Sequence, residues 1–262
     1  MANVKISGLP AASTPLTGAE LVPIVQSGVT SQTTLSEMPF IPSGTGAVAT
    51  TIQDKLRESV SVKDFGAVGD GSANDLYAFI AAGAAITSGS SLYIPSGTYK
   101  LDFTGYAPTW NIFSGVIDIV GKTDVTIFGD GYGSTKIFTT NMDTRICGGQ
   151  SIIKLSGGCE DIQIKNIWFD LRGVIGLDNY TTAYPRVCSI GSSSTQRLWI
   201  DGCKFTSFNQ NGAMLINPLN DTEFKYKQMP VYADGDTASD TIKGFKFTNN
   251  IITPTDLFPI GY

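Results

Sequence analysis

Three stretches in the second half of the chain repeat one pattern, and this repeat limits the possible folds more than any other feature of the sequence. Each copy has two apolar residues separated by one residue, then a turn position, then two further apolar residues. The copies lie at 151–170, 186–205 and 244–252. The aligned apolar series are Ile162, Ile164, Ile167 and Phe169; Leu198, Ile200, Cys203 and Phe205; and Phe245, Phe247, Ile251 and Ile252.

The repeat predicts a stacked solenoid. Alternate side chains of a short strand point to opposite sides, so each copy has one apolar side. The shared turn position holds Asn166, Gly202 and Asn249, where the chain bends between its two strands. One copy alone cannot bury its apolar side, whereas stacked copies bury it between them. We therefore expect residues 60–262 to form a parallel β-helix.

The spacing of the copies separates this fold from other repeat architectures. A weaker copy begins at Val125, and the intervals from Val125 to Ile162, Ile162 to Leu198 and Leu198 to Phe245 are 37, 36 and 47 residues. A propeller needs a more regular spacing, and a two-sheet sandwich does not need the repeated turn. The variable intervals place the insertions in loops on the outside of the solenoid.

The first third of the chain has a different character. Residues 1–45 are rich in Ser, Thr, Pro and Gly with short apolar pieces, which predicts a small β-rich module. Residues 46–59 are expected to be a linker with a short helix. Asn74 is a suitable N-cap for a second helix that covers the first edge of the β-helix. Its expected apolar face contains Leu76, Phe79, Ile80 and Ala84. The fold class is thus all-β, with one short capping α-helix on the solenoid.

Composition excludes several kinds of chemistry. The chain has no histidine, so it lacks a Ser-His-Asp triad and any histidine-ligated zinc site. Its net charge of −5 with 16% charged residues argues against a nucleic-acid partner. The cysteines Cys147, Cys159, Cys188 and Cys203 form no CxxC pair, so we expect free thiols and neither a metal nor another cofactor. No apolar run is long enough to span a bilayer, and we expect no membrane insertion.

Three ordered motifs carry a family resemblance. They are VKDFGAVGDG at 62–71, LYIPSGTYKL at 92–101 and IFGDGYGSTKI at 127–137. Together they resemble the pectate-lyase-like right-handed β-helix of bacteriophage tailspikes. Residues 6–38 are similar to the opening segments of phage tail-fibre and tailspike proteins, which dock on the virion. Proteins of this kind continue well beyond this length, so we expect residues 60–262 to be the N-terminal part of a β-helix domain.

The resemblance implies a function and partners. It implies a homotrimer, assembled in the host cytoplasm, that becomes part of the virion. It further implies that residues 1–45 attach to a tail or adaptor protein, while the β-helix recognises a bacterial surface polysaccharide. The alternative is a polysaccharide depolymerase, a glycoside hydrolase or lyase.

Two kinds of side chain are candidates for the functional site. Depolymerases of the hydrolase type use paired carboxylates, for which Asp118, Asp170 and Asp201 are the candidates. Asp201 next to a turn and Asp118 between apolar neighbours also suit purely structural positions. Trp168 and Trp199 each lie between two inward positions and should point outward. Contact with another subunit, contact with sugar and cover by a loop all remain open for them.

Overall fold

The computed structural model describes residues 19–106, 114–143, 150–172, 174–175, 186–193, 195–207, 215–217, 227–234 and 244–253. The chain divides into two compact units, Met1–Glu58 and Ser59–Tyr262. Cys147 and the first 18 residues of the expected N-terminal module lie outside the described residues.

The N-terminal unit is β-rich, as predicted. Strands β1 (Leu21–Gln26) and β2 (Val29–Thr34) form an antiparallel hairpin. Strands β3 (Pro39–Phe40) and β4 (Thr50–Thr51) form a second antiparallel pair. Helix α1 (Ile52–Arg57) follows directly, and the Thr51 hydroxyl accepts a hydrogen bond from the Asp54 backbone N–H at 2.9 Å. This N-cap satisfies one of the free N–H groups at the start of the short helix.

The second unit is a parallel β-helix built from three sheets, which confirms the predicted fold class. The first sheet contains β5 (Ser59–Ser61), β7 (Ser91–Ile94), β10 (Thr123–Gly129), β14 (Glu160–Lys165), β18 (Gln196–Asp201) and β22 (Lys246–Thr248). The second contains β6 (Asp70–Asn74), β8 (Gly97–Asp102), β11 (Thr135–Thr140), β15 (Trp168–Asp170), β19 (Lys204–Thr206) and β23 (Ile251–Thr253). The third contains β9 (Ser114–Val120), β13 (Gln150–Ser156), β17 (Arg186–Ser193), β20 (Leu215–Asn217) and β21 (Lys227–Asp234). Strands β12 (Met142–Asp143) and β16 (Val174–Ile175) form a small extra parallel pair.

One coil of the β-helix contributes a strand to the first sheet, then one to the second, then one to the third. Neighbouring coils pair in register, so equivalent residues form columns along the helix axis. Ile127, Ile164, Ile200 and Phe247 form one such column in the first sheet. The first three of these are fully buried, as the repeat predicts. Each buried aliphatic side chain stabilises the fold by about 1.5–3 kcal/mol relative to an exposed one.

The third copy of the repeat requires one correction. The sequence alignment placed Ile251 in the inward column of Ile167 and Cys203, but Ile251 pairs with Lys204 and is exposed. Asn250 lies opposite Cys203 instead, since its Oδ1 accepts a hydrogen bond from the Cys203 backbone N–H at 2.8 Å. Its Nδ2 donates to the Ile200 carbonyl oxygen at 2.9 Å. A polar residue is tolerated in this column because its side chain satisfies backbone groups of the preceding coil.

The capping helix α2 spans Leu76–Ala84, with Asp75 rather than Asn74 at the N-cap. Asn74 still contributes, because its Oδ1 accepts a hydrogen bond from the Leu76 backbone N–H at 3.1 Å. Leu76 and Phe79 are buried as predicted, whereas Ala84 is exposed. The observed buried face is Leu76, Phe79, Ala82 and Gly83. A Cβ at Gly83 would lie 3.0 Å from the Ile117 Cα of β9, so the helix packs closely over the first strand of the third sheet.

Two of the glycine-rich motifs form turns that hold strands in place. The Asp75 carboxylate is buried and accepts hydrogen bonds from the backbone N–H groups of Val68 (2.6 Å) and Gly69 (3.2 Å). The GDGYGST segment joins β10 to β11, and its Asp130 carboxylate accepts a hydrogen bond from the Ser96 backbone N–H at 2.7 Å. Both carboxylates therefore have structural partners, and the second motif is the turn between β10 and β11.

Candidate functional site

The candidate carboxylates lie on three different sheets. Asp118 is on β9 of the third sheet, Asp170 on β15 of the second and Asp201 on β18 of the first. The structure therefore does not bring any two of them together on one sheet. Their catalytic role stays a prediction.

Asp170 is the most buried of the three, with 1% of its surface exposed. Lys136 forms an ion pair with its Oδ2 at 2.8 Å, and the Arg172 Nε donates to the same oxygen at 2.9 Å. Burial alone would raise the pKa of Asp170, but the hydrogen bonds from Arg172 and Lys136 outweigh it and lower the pKa below its ordinary value. This carboxylate thus stays ionised and holds two cationic side chains.

Asp201 and Asp118 are more accessible. The Thr248 hydroxyl and the Asn249 Nδ2 donate to the Asp201 Oδ1 at 2.7 and 2.9 Å, and these bonds lower the pKa of Asp201. This is the turn-related hydrogen bonding that its position next to Gly202 suggests. Asp118 is exposed and lies 3.6 Å from the Lys154 Nζ of the next coil.

Trp168 occupies an outward position of the second sheet, between lysines of the two neighbouring coils. The Lys136 Nζ lies 3.7 Å and the Lys204 Nζ 4.1 Å from its ring centroid. Its indole Nε1–H donates a hydrogen bond to the Thr206 Oγ1 at 2.8 Å. Cation–π attraction of about 0.5–2 kcal/mol per lysine accounts for a partly exposed tryptophan at this position.

Trp199 has an equivalent environment on the first sheet. The Lys165 Nζ lies 4.6 Å and the Lys246 Nζ 5.5 Å from its ring centroid. Its Nε1–H donates to the Thr248 Oγ1 at 2.8 Å. The two tryptophans therefore share one mode of contact with the following coil, although they lie on different sheets.

A repeated tripeptide explains the shared contact. Strands β19 and β22 both have the sequence Lys-Phe-Thr, at 204–206 and 246–248. In each, the lysine lies over the tryptophan ring of the preceding coil and the threonine hydroxyl accepts its indole N–H. The phenylalanine between them points inward. The repeated tripeptide KFT is the sequence signal that identifies these lysines. The alternation of inward-facing apolar residues does not identify them.

These side chains lie at one corner of the β-helix. The first and second sheets meet at the left-handed turn residues Asn166 (φ 61°) and Gly202 (φ 60°). Lys165 is the last residue before this turn in its coil, and Trp168 follows three positions later. We call Lys136, Lys165, Trp168, Trp199, Lys204 and Lys246 the lysine–tryptophan corner.

The described residues contain neither a candidate metal-binding cluster nor a membrane-spanning helix. There, no group of three or more acidic, cysteine or histidine side chains is placed to hold a metal ion. In the same part of the chain, no helix has the length and apolarity required to cross a membrane. Cys159 and Cys203 are free and buried, and burial raises the pKa of the Cys203 thiol to about 12.

Fold and corner together define a parallel β-helix protein with a cationic and aromatic outer edge. The family model of rhamnogalacturonase A/epimerase, pectate-lyase-like proteins matches residues 59–257. The chain belongs to this pectate-lyase-like family, and the resemblance of its motifs to such a β-helix is confirmed.

Individual relatives come from phages. The preneck appendage proteins of Bacillus phages PZA and phi29 are each 27% identical over 207 residues, a match that covers 64% of this chain. The matched part is 23% of the length of each of these relatives. Among solved structures, ORF18 of Geobacillus virus E2 is similar with a TM-score of 0.40 and 15% identity, covering 88% of this chain and 49% of that one.

Proposed function

We propose that this chain forms part of a phage tail protein that recognises a surface polysaccharide of the host bacterium through its β-helix. Similarity to two phage appendage proteins supports a phage tail protein located in the virion. The membership of residues 59–257 in a pectate-lyase-like family supports a β-helix as the presented domain.

The lysine–tryptophan corner is the observation that most directly supports recognition of a polysaccharide. Most apolar side chains of the stack point inward, whereas Trp168 and Trp199 remain partly exposed on its outer surface. Around them, ammonium groups offer hydrogen-bond donors to the many oxygen acceptors of a sugar chain. Aromatic and polar groups close together are typical of surfaces that bind such ligands.

Binding is tested with purified full chain and with capsule or O-antigen prepared from the host bacterium. The proposal predicts saturable binding of the polysaccharide, which a variant carrying Trp168→Ala and Trp199→Ala weakens. Because the tryptophans contact a lysine and a threonine of the following coil, their removal could destabilise the β-helix. Circular dichroism and thermal melting must therefore first show that the variant is folded. Absence of saturable binding by the folded, unaltered chain would refute the proposal.

The enzymatic alternative is tested in the same incubation. A hydrolase releases new reducing ends, and a lyase releases unsaturated uronate. Asp118 is the candidate carboxylate with the most exposed side chain, at 41%. If cleavage occurs, Asp118→Asn should abolish it, whereas Asp54→Asn on the exposed helix α1 should not change it.

Attachment to the virion is the second part of the proposal. Residues 1–45 are proposed to bind a tail or adaptor protein, in line with their resemblance to tailspike opening segments. An unrelated segment in their place should remove the protein from particles, as measured by its copy number in purified virions. Particles with the normal copy number would contradict the anchoring role.

The assembly is proposed to be a homotrimer. Exposed apolar side chains of the N-terminal unit, among them Ile41 and Val48, support contacts with other chains. Light scattering of the protein as it occurs in the virion should give three times the chain mass. A folded monomer at micromolar concentration would contradict this state.

A further inference from the structure

We propose that the lysine–tryptophan corner binds an acidic polysaccharide through the anionic groups of the polymer, and not by stacking of sugar rings on the tryptophans. This inference rests on the proposed function and narrows the class of its ligand. It assigns the contact to the outer corner where the first and second sheets meet.

The faces of Trp168 are already occupied. Strand β15 lies between β11 and β19 in the second sheet, so Lys136 and Lys204 approach the indole from opposite sides. Their ammonium nitrogens lie 3.7 and 4.1 Å from the ring centroid. A sugar ring therefore has no free indole face at this position. The tryptophan instead holds two ammonium groups in fixed places.

The lysines form a regular series along the helix axis. Lys136 is on β11, Lys165 on β14, Lys204 on β19 and Lys246 on β22, which belong to four consecutive coils. They lie alternately on the second and the first sheet. Because neighbouring strands are about 4.8 Å apart, the corner presents one ammonium group per coil over roughly 15 Å of the axis. A linear polymer along the axis would meet all four.

Three of these ammonium groups keep donors that no described residue of the chain accepts. Within the described residues, Lys165, Lys204 and Lys246 form no ion pair with a carboxylate and donate no hydrogen bond to a protein atom. Each ammonium carries three N–H donors. Lys136 differs, because it forms an ion pair with Asp170. Because the indoles already restrict Lys204 and Lys246, binding an anion costs these side chains less conformational entropy.

The charge of the corner contrasts with that of the whole chain. The full chain has a net charge of −5. At the corner, Arg172 joins the four lysines, while the carboxylates of Asp170 and Asp201 lie in contact with this group or next to it, and Asp130 lies in the turn between β10 and β11 at the same corner. Positive charge is therefore in excess at one edge of an acidic protein. This complementarity favours a polyanion over a neutral glycan and over a protein partner whose surface carries both charges.

The test compares two polymers with the same backbone and a different charge. Dextran and carboxymethyl-dextran of matched length are the probes, and binding to the full chain is measured at low and at physiological salt. We expect binding of carboxymethyl-dextran alone, weakened by salt. Lys204→Gln with Lys246→Gln should weaken it about tenfold, which corresponds to two partly exposed charge contacts. Lys55→Gln on helix α1 removes one positive charge from the other unit and should change nothing.

The outcomes separate this inference from the proposed function. Equal binding of both dextrans, or no effect of the double variant, overturns the acidic ligand. Absence of binding to the host polysaccharide overturns the proposed function, even if carboxymethyl-dextran still binds. A changed oligomeric state of the folded double variant in light scattering would assign the corner to a contact between subunits and would also overturn the inference.

Discussion

The two units of the chain differ in where their apolar side chains lie. In the β-helix, Val125, Ile162 and Leu198 of three successive coils have no exposed surface. In the N-terminal unit, Val25 is 74% and Val48 is 79% exposed. Among residues 19–25 and 27–58 of that unit, none is buried.

This difference indicates how much stability each unit obtains from its own contacts. Each coil of the β-helix covers the apolar side of its neighbour, so burial accumulates with every repeat. A two-stranded hairpin such as β1–β2 and a six-residue helix such as α1 are at most marginally stable alone. The β-helix is therefore expected to be stable through its own contacts, and the N-terminal unit through contacts with other chains.

The largest expected effect is that of a charge in the β-helix interior. Ile200→Asp places a carboxylate in a column between Ile164 and Phe247, where it has neither water nor a partner. The variant should lose several kcal/mol of stability and fail to fold. Soluble yield and melting temperature measure this effect.

The matched control lies on the outward side of the neighbouring strand. Gln163→Asp should change the melting temperature little, because Gln163 is partly exposed and pairs with Trp199. If Ile200→Asp were tolerated and Gln163→Asp destructive, the inward and outward sets would be exchanged. The β-helix register would then be wrong.

The sequence predicted the inward columns because strand alternation repeats in every coil. It misplaced Ile251, because the polar Asn250 replaces an apolar residue by bonding to the backbone of the preceding coil. Alternation also predicted that Trp168 and Trp199 point outward. Which lysines approach them depends on the register between strands whose contacting residues are 32–47 positions apart, and alternation within one strand carries no information on that register.

Asp170 gives the second largest expected effect, and it is pH-dependent. Its lowered pKa means that the folded state binds its proton less tightly than the unfolded chain does. The resulting stability is present above the unfolded pKa of about 4 and is lost as the pH falls through the lower folded value. Asp170→Asn should destabilise the β-helix by about 3 kcal/mol at neutral pH, because Lys136 then lacks its partner.

Melting temperatures between pH 7 and pH 2 measure this effect, and the difference between Asp170→Asn and the unaltered chain should shrink in acid. Asp54→Asn in the N-terminal unit is the control, since its ion pair with Arg57 is exposed and 3.9 Å long. A constant difference across the pH range would contradict an ionised Asp170 as the cause.

A smaller effect is expected at the tryptophan contacts. Thr206→Val removes the acceptor of the Trp168 indole N–H while it keeps the shape of the side chain. The loss should be about 1 kcal/mol, seen as a shift in the denaturant midpoint. Thr126→Val, at an outward position of the first sheet, is the control and should shift the midpoint less. Equal shifts would mean that the hydrogen bond adds no stability.

The smallest effect is expected in the N-terminal unit. Leu56 on helix α1 is 72% exposed, so Leu56→Ser removes no core contact within that unit. The free energy of unfolding of the β-helix, obtained from thermal melting, should change by less than about 0.5 kcal/mol. A large loss would show that the β-helix depends on this helix.

Hydrogen exchange of backbone amides, measured by mass spectrometry on the full chain, tests the contrast between the units most directly. Amides of β10, β14 and β18 should exchange only with global unfolding, because buried side chains surround them. Amides of β1, β2 and α1 in unassembled protein should exchange orders of magnitude faster. Equal protection in both units would contradict the conclusion that the stacked coils alone provide the stable core.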